Sequence, residues 1–182
     1  MVSVIRRTGN PAREIRYAAK PCALGFVLVA LSEKGICAIL FGDTPEALFD
    51  DLRMRFPQAL LNEAGQDLTA LTQRIVAFVE NPSEGFDLPL DMQGTPFQKR
   101  VWRALCQVPV GSTASYAEIA EKIGAPKAVC AVANACAANA IAVAIPCHRI
   151  LRSDGALSGY RGGVGRKQFL LGRERVHSYK DS

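Results

Sequence analysis

Two apolar runs, Gly25-Phe26-Val27-Leu28-Val29-Ala30-Leu31 and Gly35-Ile36-Cys37-Ala38-Ile39-Leu40-Phe41, are joined only by Ser32-Glu33-Lys34-Gly35. Short β-favouring runs around such a turn predict an antiparallel hairpin, so the start of this chain is committed to a sheet. Ile15-Arg16-Tyr17 adds a short strand before it. Thr44 and Pro45, an N-cap and a first-turn proline, open a helix with Leu48, Leu52 and Phe56 on its apolar face, ended by Pro57. A second amphipathic helix is predicted over Leu68–Glu80, with Leu71, Ile75, Phe78 and Val79 inward and Asn81-Pro82 as its stop; a strand follows over Phe86–Leu90. This half reads as a small α/β unit with no polar cluster suited to catalysis, and its expected role is structural.

Composition changes at Asp91-Met92-Gln93-Gly94, which divides the chain into a loose lead-in or remnant of a longer chain (1–14), an α/β domain (15–92) and a second domain (93–182). Thr95-Pro96 starts a helix to about Gln107, striped by Phe97, Val101, Trp102 and Leu105. Ser115 caps the next helix, with Glu118 completing a capping box and Gly124 as the stop. Pro126 begins another, roughly Lys127–Ala138. Helix, short turn and helix make a helix-turn-helix candidate. The second of these helices is slim, carrying Ala128, Ala131, Ala133, Ala135, Ala137 and Ala138. A slim helix can approach a phosphate backbone or a narrow groove but offers few side chains to base edges. A packed core helix is served equally well by alanine, and the pattern does not choose between them. Asn139 ends the helix, and Ile141–Ile145 reads as a buried extended run. A turn at Ser153-Asp154-Gly155-Ala156 leads into a glycine-rich loop, Gly155–Gly165. The last helix runs from Val164 to about Val176, leaving His177–Ser182 as a solvated tail.

With 182 residues, 49% of them hydrophobic and 21% charged, the chain can bury a core and is not disordered throughout. A net charge of +5 and an isoelectric point near 9.0 lean mildly toward an anionic partner such as nucleic acid. The six cysteines form no C-x-x-C pair, and no metal site is expected. There is no secretory signal and no apolar run near the ~18 residues of a membrane span, so a cytoplasmic protein with reduced thiols is expected, without membrane attachment.

Chemistry concentrates at Ile145-Pro146-Cys147-His148-Arg149-Ile150. His148 and Arg149 place actual or potential positive charge beside Cys147, which favours a thiolate. Adjacent residues of an extended segment point to opposite sides, so direct Cys147–His148 contact is awkward, although a bend or a bridging water would connect them. A cysteine hydrolase would need an orienting group and an oxyanion hole, and a redox role would need a resolving cysteine nearby. Alkyl transfer to a thiolate makes the lightest demand. The loop at Gly159–Lys167 lacks the Gly-Lys-Ser/Thr ending of a nucleotide-binding loop.

Pro146-Cys147-His148-Arg149, Asn139 upstream, Ser115-Tyr116, and Gly159-Tyr160 followed by Gly162-Gly163 resemble the 6-O-alkylguanine-DNA alkyltransferases, and most of all the catalytic half of their Ada-type bacterial members. The resemblance spans residues 15–176 and does not include the Ada-type zinc domain, so neither phosphotriester repair nor methyl-triggered transcription control is implied. It implies an amino-terminal ribonuclease-H-like α/β domain and a carboxy-terminal, mainly helical winged helix-turn-helix domain. It implies a monomer that binds double-stranded DNA through the minor groove, flips out an alkylated guanine, and acts once without a cofactor on 6-O-methylguanine and 4-O-methylthymine.

Carried onto this chain, Cys147 accepts the alkyl group, His148 acts as base through a water, Glu174 orients it, Tyr116 donates toward the departing guanine, and Asn139 braces the turn. The base is recognised around Arg149, Ile150, Tyr160, Arg161 and Lys167, through main-chain groups of Cys147, Ile150 and Arg161 in particular. DNA is met by Lys127, Ala128, Cys130, Ala131 and Ala135. The family usually carries an intercalating arginine where this chain has Cys130, so weaker base flipping with intact transfer chemistry is expected, unless a neighbouring Arg or Lys takes over the wedge. Two other readings stay open: a lesion sensor that does not repair, against which Cys147 speaks, and a winged-helix regulator, for which helix 127–138 offers few base-reading side chains.

Overall fold

A computed structural model describes residues 13–82 and 87–178, with the side chains of 176–178 left out. The expected lead-in, apart from Arg13 and Glu14, lies outside the described residues, as do Phe86 and residues 179–182.

The hairpin is present as β2 (Gly25–Ser32) and β3 (Gly35–Gly42), paired antiparallel from Phe26↔Gly42 to Ser32↔Gly35. Gly35 sits at φ +141°, and a Cβ there would meet the Pro89 carbonyl oxygen at 2.3 Å, so only glycine closes this turn. β1 (Glu14–Cys22) is longer than the expected Ile15–Tyr17, because it pairs antiparallel with β2 on one side and parallel with β4 (Leu60–Glu63) on the other. The sheet order is β3-β2-β1-β4. Of the strand expected over Phe86–Leu90, Leu90 makes a single parallel bridge to Ile36.

Helix α1 (Pro45–Arg55), capped by Thr44, lays Leu48 and Leu52 against Ile15, Leu28, Ala30, Cys37 and Leu40 on one face of the sheet. Helix α2 (Gln66–Glu80) covers the other face with Leu68, Ile75 and Val79. That second cluster does not stop at the domain boundary. It continues through Val101, Trp102, Leu105, Ile119 and Val132 of the helical half, so burying apolar surface fixes one half against the other.

The helical half contains α3 (Pro96–Leu105), α4 (Tyr116–Lys122), α5 (Val129–Ala137) and α6 (Val164–Ser178), with a minimal parallel ladder between β5 (Ala114–Ser115) and β6 (Ile150–Leu151). Full capping boxes start α3 (Thr95 with Gln98) and α4 (Ser115 with Glu118). Helix α5 begins two residues later than expected, leaving Lys127 in the preceding turn. Helix α6 runs on to Ser178, so His177, expected in a tail, belongs to it.

The expected extended run at Ile141–Ile145 is not a strand. Ile141 makes one parallel bridge to Ile39, after which the chain turns, with the Ile145 amide donating to the Ile141 carbonyl at 3.0 Å. Val143 is held at φ +60°, a left-handed conformation costly for a β-branched residue. The turn is over-determined: the Ile39 amide donates to the Ala140 carbonyl (2.8 Å), and the Ala142 amide to the Ile39 carbonyl (3.1 Å). Among the described residues no helix is long and apolar enough to cross a membrane.

Candidate active site

Asn139, just past α5, organises the approach to Cys147. Its Nδ2 donates to the Ile145 carbonyl (2.9 Å) and to Cys147 Sγ (3.2 Å), while its Oδ1 accepts from the Ile141 amide (2.9 Å). One buried side chain thereby closes the whole 139–147 loop. Cys147–Arg149 form a turn of 3₁₀ helix rather than the extended segment expected. The strict alternation of side chains is lifted, because proline at 146 permits a turn to start where a strand would have continued.

Behind Cys147 lies a buried ionic network. His148 and Glu174 are 1% and 3% exposed. Burial by itself would raise the Glu174 carboxyl, but hydrogen bonds from His148 and Arg149 outweigh it and hold the group down at about 2. Glu174 is therefore a carboxylate, and His148 Nε2, 2.7 Å from its Oε1, is the donor. His148 Nδ1 is buried and has no hydrogen-bond partner among the described residues. Burial lowers the imidazole's affinity for a proton, against the pull of Glu174, so the ring rests neutral with a lone pair on Nδ1. Arg149 grips the same carboxylate through Nε (3.1 and 3.0 Å) and Nη2 (2.8 Å) and donates to the Val108 carbonyl through Nη1 (2.7 Å). Its guanidinium is thus committed to holding Glu174 and does not line the pocket. Lys167, 1% exposed, donates to the Ile150 carbonyl at 2.5 Å.

In front of Cys147 opens a cavity of about 390 Å³, lined by Cys147, Asn139, Tyr116, Tyr160 and Arg161 among others. That is room for a planar heterocycle, not for a polymer segment. Tyr116, the first residue of α4, shares a short hydrogen bond with Ser158 Oγ. The Tyr160 hydroxyl is buried with no hydrogen-bond partner among the described residues. Burial also raises the Cys147 thiol, opposed by the Asn139 hydrogen bond, Lys167 and Arg55; at rest it keeps its proton.

The amino-terminal half is not only structural. Ile39, Leu40, Phe41, Asp51 and Arg55 form a wall of this cavity. Sequence reasoning passed over Asp51 and Arg55, which no local motif marks, and Ser158, whose one signal was its place before Gly159-Tyr160.

At the candidate nucleic-acid face, Lys127, Cys130 and Ala131 are exposed and Ala128 is partly so. Ala135, expected among them, is 2% exposed and faces the core, where its carbonyl accepts from Trp102 Nε1 at 2.8 Å; it cannot touch a ligand outside.

Fold and site define a two-domain protein in which a helix-turn-helix pair is followed by a buried, hydrogen-bonded cysteine lining a cavity of about 390 Å³. Residues 15–92 match the family model for the ribonuclease-like domain of 6-O-methylguanine DNA methyltransferase, and residues 96–176 match that for its DNA binding domain. The bifunctional transcriptional activator/DNA repair enzyme Ada of Escherichia coli is 49% identical over 168 residues, covering 92% of this chain and 48% of that protein. The chain thus spans about half the length of the Ada proteins it matches. The inducible methylated-DNA–protein-cysteine methyltransferase of Bacillus subtilis is 40% identical over 148 residues, 81% of this chain and 83% of that one. Among solved structures, Mycobacterium tuberculosis OGT in complex with DNA superposes with a TM-score of 0.74 at 32% identity, covering 90% and 94% of the two chains. The chain belongs to the 6-O-methylguanine DNA methyltransferase family.

Proposed function

We propose that this protein repairs DNA by moving the alkyl group of 6-O-methylguanine, and of 4-O-methylthymine, onto Cys147, once per molecule. The observation that carries this reading is the pairing of Cys147 with a neutral, Glu174-bound histidine behind it and a base-sized cavity in front. The names of the relatives, which include methylated-DNA–protein-cysteine methyltransferases, support it.

The thiol begins protonated, so attack requires a base. His148 Nδ1 takes the Cys147 proton through one bridging water, and the imidazolium formed is stabilised by the Glu174 carboxylate that Arg149 holds in place. The sulfur then attacks the alkyl carbon in line. A carbon–sulfur bond forms, the bond from that carbon to the 6-oxygen breaks, and the electron pair leaves with the guanine. Tyr116 donates a hydrogen bond to the departing base, and across the whole reaction one proton moves from thiol to guanine. The Cys147 and Ile150 carbonyls each already accept one hydrogen bond and keep a second lone pair for the base's amino group. The Arg161 amide serves the oxygen, and Tyr160 and Lys167 complete the surround. The balance closes without a cofactor, and the thioether is not reversed.

DNA would be held by residues 93–182 from its minor-groove side, against Lys127, Ala128, Cys130 and Ala131, with the base rotated into the cavity. The small side chains of α5 allow close backbone approach. A monomer in a reducing cytoplasm fits the free cysteines, Cys147 among them. The test is to incubate the protein with duplex DNA carrying one 6-O-methylguanine and map the methyl group by peptide mass spectrometry. Methylation of the Cys147 peptide with restored guanine supports the reading; unmodified Cys147 beside unrepaired DNA rejects it.

A further inference from the structure

The wall given by the amino-terminal half carries a charge that the transfer mechanism does not use. Among the described residues lining the cavity, three are charged: Asp51 and Arg55 on α1, and Arg161 on the glycine-rich loop. Both guanidinium groups meet the same carboxylate oxygen. Arg55 Nε donates to Asp51 Oδ1 at 3.1 Å, four residues along the helix, and Arg161 Nη2 donates to it at 2.8 Å from 110 residues away. Two cations on one carboxylate leave the cluster with one net positive charge. It is also partly dehydrated, since the Arg55 and Asp51 side chains are 11% and 27% exposed, and charges act more strongly where water is thinned.

We propose that Arg55, with Asp51 and Arg161, makes the cavity wall an electropositive element that favours negative charge at Cys147 Sγ, so that the amino-terminal domain positions and tunes the reacting sulfur. Asp51 sets the arrangement by tying the loop to α1, and Arg55 supplies the field. The electrostatic coupling runs both ways: Arg55 is among the groups that lower the Cys147 thiol, and Cys147 among those that raise the Arg55 guanidinium, within a larger effect of burial on each. Arg55 hydrogen-bonds Asp51 and acts on the sulfur across the cavity, so it is a positioning residue.

The inference rests on Cys147 as the reacting group, and its test uses no DNA, so it stands or falls apart from the repair reading. Iodoacetate and iodoacetamide alkylate a thiolate by the same step, sulfur–carbon bond formation with loss of iodide, but the first carries a negative charge. Their rates at the Cys147 peptide are compared at neutral pH and low salt, with exposed Cys130 of the same chain as the reference. Arg55→Gln is expected to lower the iodoacetate-to-iodoacetamide ratio at Cys147 on the order of threefold, and Arg55→Lys to restore most of it. Asp51→Asn removes the carboxylate charge that draws the loop to α1 but no positive charge, and its ratio is expected to stay at or above that of the unaltered protein. A purely structural role would move Arg55→Gln and Asp51→Asn the same way. A common fall in both, or an unchanged ratio in Arg55→Gln, overturns the proposal.

Discussion

His148 Nε2 stands 2.7 Å from Glu174 Oε1, and the same oxygen accepts from Arg149 Nη2 at 2.8 Å. One carboxylate therefore fixes the tautomer of the proposed base and neutralises the guanidinium beside it. Glu174→Gln should damage both roles. Leaving Arg149 buried without its counter-charge costs about 3 kcal/mol or more of stability, and losing the anionic partner of His148 should slow alkyl transfer by about 100-fold. Urea denaturation and single-turnover rates on folded protein separate the two effects.

The same network sets the acid limit of the fold. Glu174 is held at about 2 in the folded protein, below its unfolded value near 4.3, and burial depresses His148 below its unfolded value near 6.5. For both groups the unfolded chain binds protons more readily. Their stabilising contributions are complete above the unfolded pKa and are lost as pH falls, first through His148 and then through Glu174. The melting temperature should hold near pH 7 and fall steadily from about pH 6.5 downward. In Glu174→Gln the part of that fall below about pH 4.5 should flatten.

Asn139→Ala removes three hydrogen bonds at once, two of them to main chain that shapes the 139–147 turn. Stability should drop by about 2–3 kcal/mol. The Cys147 thiol, relieved of its Nδ2 donor, should become harder to ionise, which iodoacetamide labelling against pH would register as a rise in its apparent pKa.

How far such features were legible in the sequence depended on whether their causes were local. The turn residues 32–35 marked the hairpin, and Ser115 with Glu118 marked the start of α4, since each signal and its structure lie within a few residues. The Cys147-His148 motif pointed to the residues that meet at the cavity for the same reason, its signal being local. β4 escaped notice because Leu60–Glu63 is a strand only by virtue of parallel pairing with β1, far back in the chain. The left-handed Val143 ran against its own propensity and is imposed by hydrogen bonds to Ile39 and by Asn139. Ala135 could not be assigned a face without knowing that Trp102 packs beneath it. Asp51 and Arg55 carry no local signal, and only folding sets Arg161 against Asp51.

Cys130 is exposed near the start of α5, at the position that the family resemblance matches to an intercalating arginine. Cysteine cannot fill the gap left by a flipped base. Restoring the wedge with Cys130→Arg should recover roughly 1–2 kcal/mol of flipping compensation and speed repair of duplex substrate about tenfold. Reaction with free 6-O-methylguanine base, which needs no flipping, should not change. Equal acceleration of both substrates would place the effect in the chemistry instead.

Tyr116→Phe keeps the ring in the pocket wall and removes the hydroxyl that meets Ser158. Transfer to Cys147 should slow by about tenfold or more, while affinity for methylated duplex, measured with Cys147→Ser protein to prevent turnover, should be preserved. A loss confined to binding would assign Tyr116 to the DNA contact rather than to the departing base.

The most direct measurement is a titration of 6-O-methylguanine duplex, in excess, against protein of known active concentration, counting restored guanine and methylated Cys147 peptide together. The expected result is a plateau at one guanine restored and one Cys147 methylated per chain, with no repair by Cys147→Ser. Continued turnover beyond one equivalent, or repair that persists in Cys147→Ser, would contradict the assignment of Cys147 as a single-use acceptor.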